Sequence, residues 1–348
     1  MVLHPIGQEA RRRAGVVVGL IAVMAATMIT GCSADNGDTA TRDSPRPDLQ
    51  VVTTVSPLTS IVANIAGPDV AVTGLVPEGV NSHTFEPPPS AARALAEADI
   101  VFVNGLGLED PTEDLAKANL APGAEIVKLG DEVLPRSEWI FDFSFPREGG
   151  KPNPHLWTNP PMVAEYAAVI RDALITHDAA NAATYRANHD AFAARIKALD
   201  SAMADATATI PKRSRTLLTY HDAYAYFADH YDWKILGAIQ PSDFAEPSPN
   251  DVAALIDQIR ANDVPVVFGS EVFPSPVLEQ ISAETGARYV DDLRDDDLPG
   301  KPGEQTHSWL GLMRLNHVTI VAAFGGDTSA LEALDVSDVA VDHATYPQ

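Results

Sequence analysis

The chain has 348 residues, 45% of them hydrophobic, with a formal net charge of −24 and a single cysteine. That length leaves room for two domains of ordinary size. The acidity excludes the basic footprint that nucleic-acid binding requires, and a lone cysteine excludes an intramolecular disulfide, so the fold rests on its apolar core.

Arg11, Arg12 and Arg13 precede an uncharged, mostly apolar run from Ala14 to Thr30. This fits a secretory signal and is short for a spanning helix. The run ends Ile29-Thr30-Gly31-Cys32, which resembles a bacterial lipobox. Residues 1–31 are therefore expected to be removed and Cys32 to be lipidated. Residues 32–48, rich in Ser, Asp, Asn, Thr and Pro, read as a flexible tether. The expected location is the cell envelope, on the outer face of the cytoplasmic membrane.

Strands and helices then alternate. The pattern predicts strand Gln50–Val55, helix Pro57–Ala66, strand Val70–Leu75, helix Ser90–Ala98, and strands Ile100–Asn104 and Glu125–Leu129. This βαβ rhythm predicts an α/β fold with a parallel sheet flanked by helices. Asn159-Pro160 reads as a helix cap with proline at the first position. Met162 to Ile210 is helical with a break near His177-Asp178, and its second half, 179–210, reads as one long rigid helix linking two lobes. Tyr185, Phe192, Ile196 and Leu199 recur there at helical spacing. A second alternating series follows: strand Thr216–Thr219, helix Ala223–Tyr231, strand Lys234–Ile239, helix Asn250–Ala261, strand Pro265–Gly269, helix Ser275–Gly286, strand Arg288–Val290 and helix Ser308–Phe324. The lobes are expected at 49–178 and 211–348.

Four loop positions offer metal-ligand chemistry. His83 lies beyond the carboxyl end of the second strand, His221 just past Thr216–Thr219, and Asp291 just past Arg288–Val290. His155 stands in a proline-bounded turn before the helix at Asn159. Open parallel sheets bind ligands at the carboxyl ends of their strands, and domain interfaces favour ligand sites. Three imidazoles and one carboxylate complete a tetrahedral set and leave no open position for a reacting water, which points away from an enzyme. Asp292, Asp295, Asp296 and Asp297 crowd the same loop and compete with Asp291. Of the other histidines, His307 is the serious spare, in a Gly/Pro-rich loop; His177, His189, His230 and His317 fall on predicted helices.

Leu75-Val76-Pro77-Glu78-Gly79-Val80-Asn81-Ser82-His83, Asn153-Pro154-His155-Leu156-Trp157, His221-Asp222-Ala223-Tyr224 and Tyr289-Val290-Asp291 each resemble a ligand motif of one family. Glu246-Pro247-Ser248-Pro249, Gly269-Ser270-Glu271 and Met313-Arg314-Leu315-Asn316 resemble its other signatures. The family is the zinc- and manganese-binding group of ABC-transporter solute-binding lipoproteins (cluster A-I, adhesin-lipoprotein-like), and the resemblance runs from Val51 to Phe324. The family commonly has Asp where Asn153 stands, and Asp-Pro where Asn81-Ser82 precedes the first histidine. The resemblance implies two α/β lobes joined by a rigid helix, a metal buried between them, and delivery to a membrane permease and its ATPase by a monomer.

His221 and the nitrogen-rich set favour zinc over manganese, which prefers harder oxygen ligands. The segment from Phe141 to Lys151 holds no histidine, so the His-rich loop of many zinc-binding relatives is missing. Manganese import, a surface adhesin, and a metal-dependent hydrolase using Glu271 or Asp222 as base are the rival readings. No His-Glu-x-x-His motif supports the hydrolase.

Overall fold

The computed structural model describes residues 49–270, 276–291 and 293–347. The signal, Cys32 and the tether lie outside the described residues, as do Glu271 and Asp292. The first lobe is built from β1 (Leu49–Thr53), α1 (Ser56–Ala66), β2 (Val70–Gly74), α2 (Ala91–Glu97), β3 (Ile100–Val103), α3 (Asp110–Asn119), β4 (Glu125–Lys128) and α4 (Leu129–Val133). Then come α5 (Pro160–His177) and α6 (Ala182–Ala208). The second lobe follows as β5 (Thr216–Thr219), α7 (Ala225–Tyr231), β6 (Lys234–Ala238), α8 (Pro249–Ala261), β7 (Val266–Phe268), α9 (Pro276–Thr285), β8 (Arg288–Val290), α10 (Trp309–Ala323) and α11 (Ser329–Glu332).

Both sheets are parallel, and they share one layout. The strand orders are β2-β1-β3-β4 and β6-β5-β7-β8. In each, the order reverses beside the first strand of the lobe, which makes its carboxyl end the natural ligand crevice. Val51, Phe102, Leu217 and Phe268 face a core shared with α1, α5, α6 and α10. Smaller apolar clusters seal the outer faces, with Val101 and Leu95 on the first sheet and Val267 and Ile256 on the second.

Local chemistry explains several element ends. Ser248 and Asp251 form a reciprocal capping box on α8, with Pro249 in its first turn. Ser308 Oγ accepts the N–H of Gly311 at the start of α10. Asp178 separates α5 from α6 by accepting the N–H of Asn181 and the hydroxyl of Tyr185 (2.6 Å). Helix α6 then runs 27 residues, about 40 Å at 1.5 Å per residue, and buries Tyr185, Phe192, Ile196 and Leu199. One expected cap is different. The Asn159 side chain makes no cap bond on α5; its amide donates to the carbonyl of Tyr226 (3.0 Å), so the residue ties α5 to α7 instead. The alternating pattern does not predict α3, α4 or α11; the last two have only five and four residues.

The segment after α11 returns to the first sheet. Asn64 Nδ2 donates to Asp338 (2.7 Å), and Thr345 bridges β2 beside Thr73. Thr345 N–H donates to the carbonyl of Val72, and Gly74 N–H donates to the carbonyl of Thr345, both at 2.9 Å. The segment beyond 334 thus pairs with the first sheet, while Val336 accepts the Ser308 hydroxyl and Tyr346 packs on Leu298 and Leu312 of the second lobe.

A buried carboxyl group fixes the crevice side of the first sheet. Glu109 accepts the Thr54 hydroxyl (2.7 Å) and the N–H groups of Asn104 (2.7 Å) and Gly105 (3.0 Å). Asn104 in turn accepts the Tyr166 hydroxyl (2.7 Å) and donates to the carbonyl of Pro154 (2.9 Å), beside His155. Burial raises the Glu109 pKa to about 7, against the hydrogen bonds that favour its charge. A raised folded-state value gives stability that is complete below the unfolded value of 4.5 and is lost as pH rises through about 7. Glu109→Gln has no such loss. Its stability relative to the native chain should improve by about 3 kcal/mol between those two pH values, whatever its constant offset. Urea titrations across that window check this; a pH-independent difference would contradict it.

Candidate metal centre

Three loops bring His83, His155 and His221 together. Asn81 shapes the first by accepting the N–H of His83 (2.9 Å), an Asx turn that either Asn or Asp can make. The same loop is held to the second lobe, where Ser82 donates its hydroxyl to Asp296 (2.5 Å) and Gly79 its N–H to Asp297 (2.7 Å). His155 is buried behind Asn153, whose Oδ1 accepts its N–H (3.1 Å). Trp157 donates from Nε1 to the carbonyl of Asp295 (2.9 Å), and Trp309 to the carbonyl of Trp157 (2.9 Å). His221 follows β5, its carbonyl accepting the Thr219 hydroxyl (2.7 Å).

The three Nε2 atoms are 3.2 Å (His83–His155), 3.3 Å (His83–His221) and 2.9 Å (His155–His221) apart. A tetrahedral ion with nitrogen ligands at about 2.05 Å sets its vertices about 3.3 Å apart. The triangle therefore fits three corners of such a shell. Among the described residues this is the one His/Cys/Asp/Glu group close enough to hold a metal.

Protonation is arranged for binding. Asn153 Nδ2 donates to Asp142 Oδ2 (2.8 Å) and to the carbonyl of Asp222 (2.7 Å). Its oxygen must therefore face His155 Nδ1 (2.8 Å), which carries the proton and leaves Nε2 bare. Gln240 Oε1 does the same for His221 Nδ1 (2.6 Å). Burial first, and the neighbouring His221 second, push His83 and His155 well below the ordinary histidine range. Both are neutral at neutral pH, as ligation requires. Beside them, burial and the facing Asp222 raise Asp142 to about 8, and burial raises Asp222. Asp222 Oδ2 also accepts the N–H of Ser144 (2.9 Å), so this carboxyl group is committed to structure and is not a base in the crevice.

Asp291 is not in the cluster. It is exposed just beyond β8, before the chain re-enters the core at Leu293. The carboxylates that follow this re-entry, Asp295, Asp296 and Asp297, are buried, and Asp295 Oδ2 lies 3.7 Å from His221 Nε2. Asp295 Oδ1 accepts the Ser270 hydroxyl (2.8 Å). His307 is not in the cluster; it packs under Tyr346 with Glu78 at 3.6 Å. Sequence reasoning missed Gln240, although it sits at the carboxyl end of β6, where the strand-end rule points. It also missed Phe145 and Phe244, which carry no chemical signal. The two rings pack against the imidazoles at the edge of a cavity of about 260 Å³.

Comparison with known proteins agrees with this geometry. Residues 51–323 match the family described as zinc-uptake complex component A, periplasmic. The iron-binding protein YfeA of Yersinia pestis is 32% identical over 277 residues, covering 80% of this chain and 86% of that protein. The manganese-binding lipoprotein MntA of Halalkalibacterium halodurans is 29% identical over 306 residues, 88% and 96% of the two chains. A manganese-bound point mutant of the periplasmic metal-binding protein from Candidatus Liberibacter asiaticus superposes with a TM-score of 0.69 at 27% identity, covering 79% of this chain and 98% of that one. Fold, imidazole triangle and relatives define a metal-binding substrate-binding protein of the ABC-transporter type, a binding protein and not an enzyme. The chain belongs to the zinc-uptake complex component A family.

The tautomer relay is open to test. Asn153→Asp, although Asp is common in the family, takes away the donor to Asp142 and the Asp222 carbonyl, and should destabilise the fold by about 1–3 kcal/mol. Gln240→Leu strips His221 Nδ1 of its acceptor and should weaken metal binding about tenfold or more with the fold intact. Thermal melts and chelator competition measure the two effects.

Proposed function

We propose that this protein captures zinc outside the cytoplasm and delivers it to an ABC permease and its ATPase for import. His83, His155 and His221 supply three ligands. Asp295 supplies the fourth after a small inward shift, in place of the expected Asp291. The convergence of three imidazole Nε2 atoms within 3.3 Å carries this reading. Nitrogen-rich sets suit zinc, and four protein ligands leave no position for a reacting water. The anchor in this proposal is a lipid on Cys32, which holds a monomer at the outer face of the cytoplasmic membrane. Manganese is the second reading, favoured by the manganese-binding relatives and by the carboxylates at 295–297.

Chelator competition on the purified protein tests the ligand set. His83→Ala, His155→Ala and His221→Ala should each weaken zinc binding about tenfold or more, and His307→Ala should leave it near native. Asp295→Asn should weaken it comparably and Asp291→Asn little; the reverse order restores Asp291 as the ligand.

The cargo is a separate question, because divalent nitrogen sites prefer zinc to manganese whatever their biological role. Cells lacking the gene should grow poorly when zinc is chelated, and zinc should rescue them better than manganese. Selective rescue by manganese would reassign the cargo and leave the site standing.

A further inference from the structure

Phe244 lies against His83 with ring centroids 4.3 Å apart and planes 13° from parallel. It comes from the second lobe, on the segment after β6, whereas His83 belongs to the first. Phe145, from the segment before His155, meets His155 edge-on and lies tilted to His83 and Phe244. Its ring is 5.6 Å from His155, 5.5 Å from His83 and 5.9 Å from Phe244. The cavity beside His83 is lined by these two rings, Leu106, Pro154 and Lys151. His155 and His221 are buried, while His83 keeps partial exposure, so solvent reaches the triad on this side.

The backbone under the ring is unusual. Phe244 has φ of 57°, a left-handed conformation that bulky L-residues avoid. A turn holds it there: the Phe244 N–H donates to the carbonyl of Pro241 (3.0 Å), and Gln240 Nε2 donates to the carbonyl of Phe244 (3.4 Å). Gln240 is also the partner of His221 Nδ1. One side chain therefore reaches both a triad histidine and the loop that carries the ring. A phenyl face has no donor or acceptor for the water shell of a cation. An ion crossing here must shed water or wait for the ring to swing aside.

We propose that Phe244 is a gate on metal exchange: it sets how fast the ion enters and leaves, and contributes little to how tightly it is held. This rests on the proposed metal-binding role of the triad. Lys151, at the cavity wall, is engaged by Asp110 (2.6 Å) and is not the barrier.

Stopped-flow kinetics on the full mature chain, with zinc as the probe, test the gate. Chelator-driven release and indicator-monitored uptake are measured for the native protein, Phe244→Ala and Phe244→Tyr. In Phe244→Ala both rates should rise by about tenfold or more, with the dissociation constant held within about threefold. Phe244→Tyr keeps a ring and should restore near-native rates. Unchanged rates in Phe244→Ala overturn the gate. So does a weaker dissociation constant with unchanged uptake, which would make Phe244 a support for His83. A native chain that takes up no zinc or manganese defeats the metal-binding reading itself and the gate with it. Native uptake with an indifferent Phe244→Ala defeats the gate alone.

Discussion

Three imidazole nitrogens within 3.3 Å of one another cannot all carry protons, and the rest of the crevice follows from keeping them bare. Burial alone makes a histidine neutral but does not choose which nitrogen keeps the proton. Asn153 and Gln240 make that choice for His155 and His221. Asn153 can do so because both of its amide hydrogens are committed elsewhere, to Asp142 and to the backbone of Asp222. The raised Asp142 and Asp222 carboxyl groups thus belong to the same arrangement. They lie close because each has a partner there, and the result is a rigid amide that aims an imidazole.

The triad needs both lobes, and the fold supplies them on a common frame. Helices α1, α5, α6 and α10 share one core with the inner faces of both sheets. Trp309 of α10 donates its backbone N–H to Ser60 of α1 (2.9 Å) and its indole to the loop that carries His155. The ligand loops are therefore short extensions of packed elements, and they reach one another through hydrogen bonds such as Ser82 to Asp296.

Much of this was legible in the chain. The two βαβ series, the long helix and its break at His177-Asp178 followed from periodicity and caps, because those signals are local. The three histidines were legible as strand-end or turn positions. The burial of Asp295, Asp296 and Asp297 beyond an exposed Asp291 was not, since period-two alternation does not say where an acidic turn re-enters the core, and Leu293 decides that. The Asn159 cap misled for a similar reason: a side chain suited to a helix end found a better partner in α7. The placement of Phe244 was invisible, because it depends on a left-handed turn and on a ring from another lobe.

The bridge from Thr345 to β2 has a consequence for the order of assembly. Asn64 and Asp338, which meet beside it, are 274 positions apart. Contacts of such separation close slowly, because most of the chain must be ordered first. The strands made earliest are thus finished last. Until residues near 345 arrive, β2 is an open edge with unpaired backbone groups, ready to pair with any passing strand. The backbone of Thr345 then takes up the free groups of Val72 and Gly74 and closes that edge.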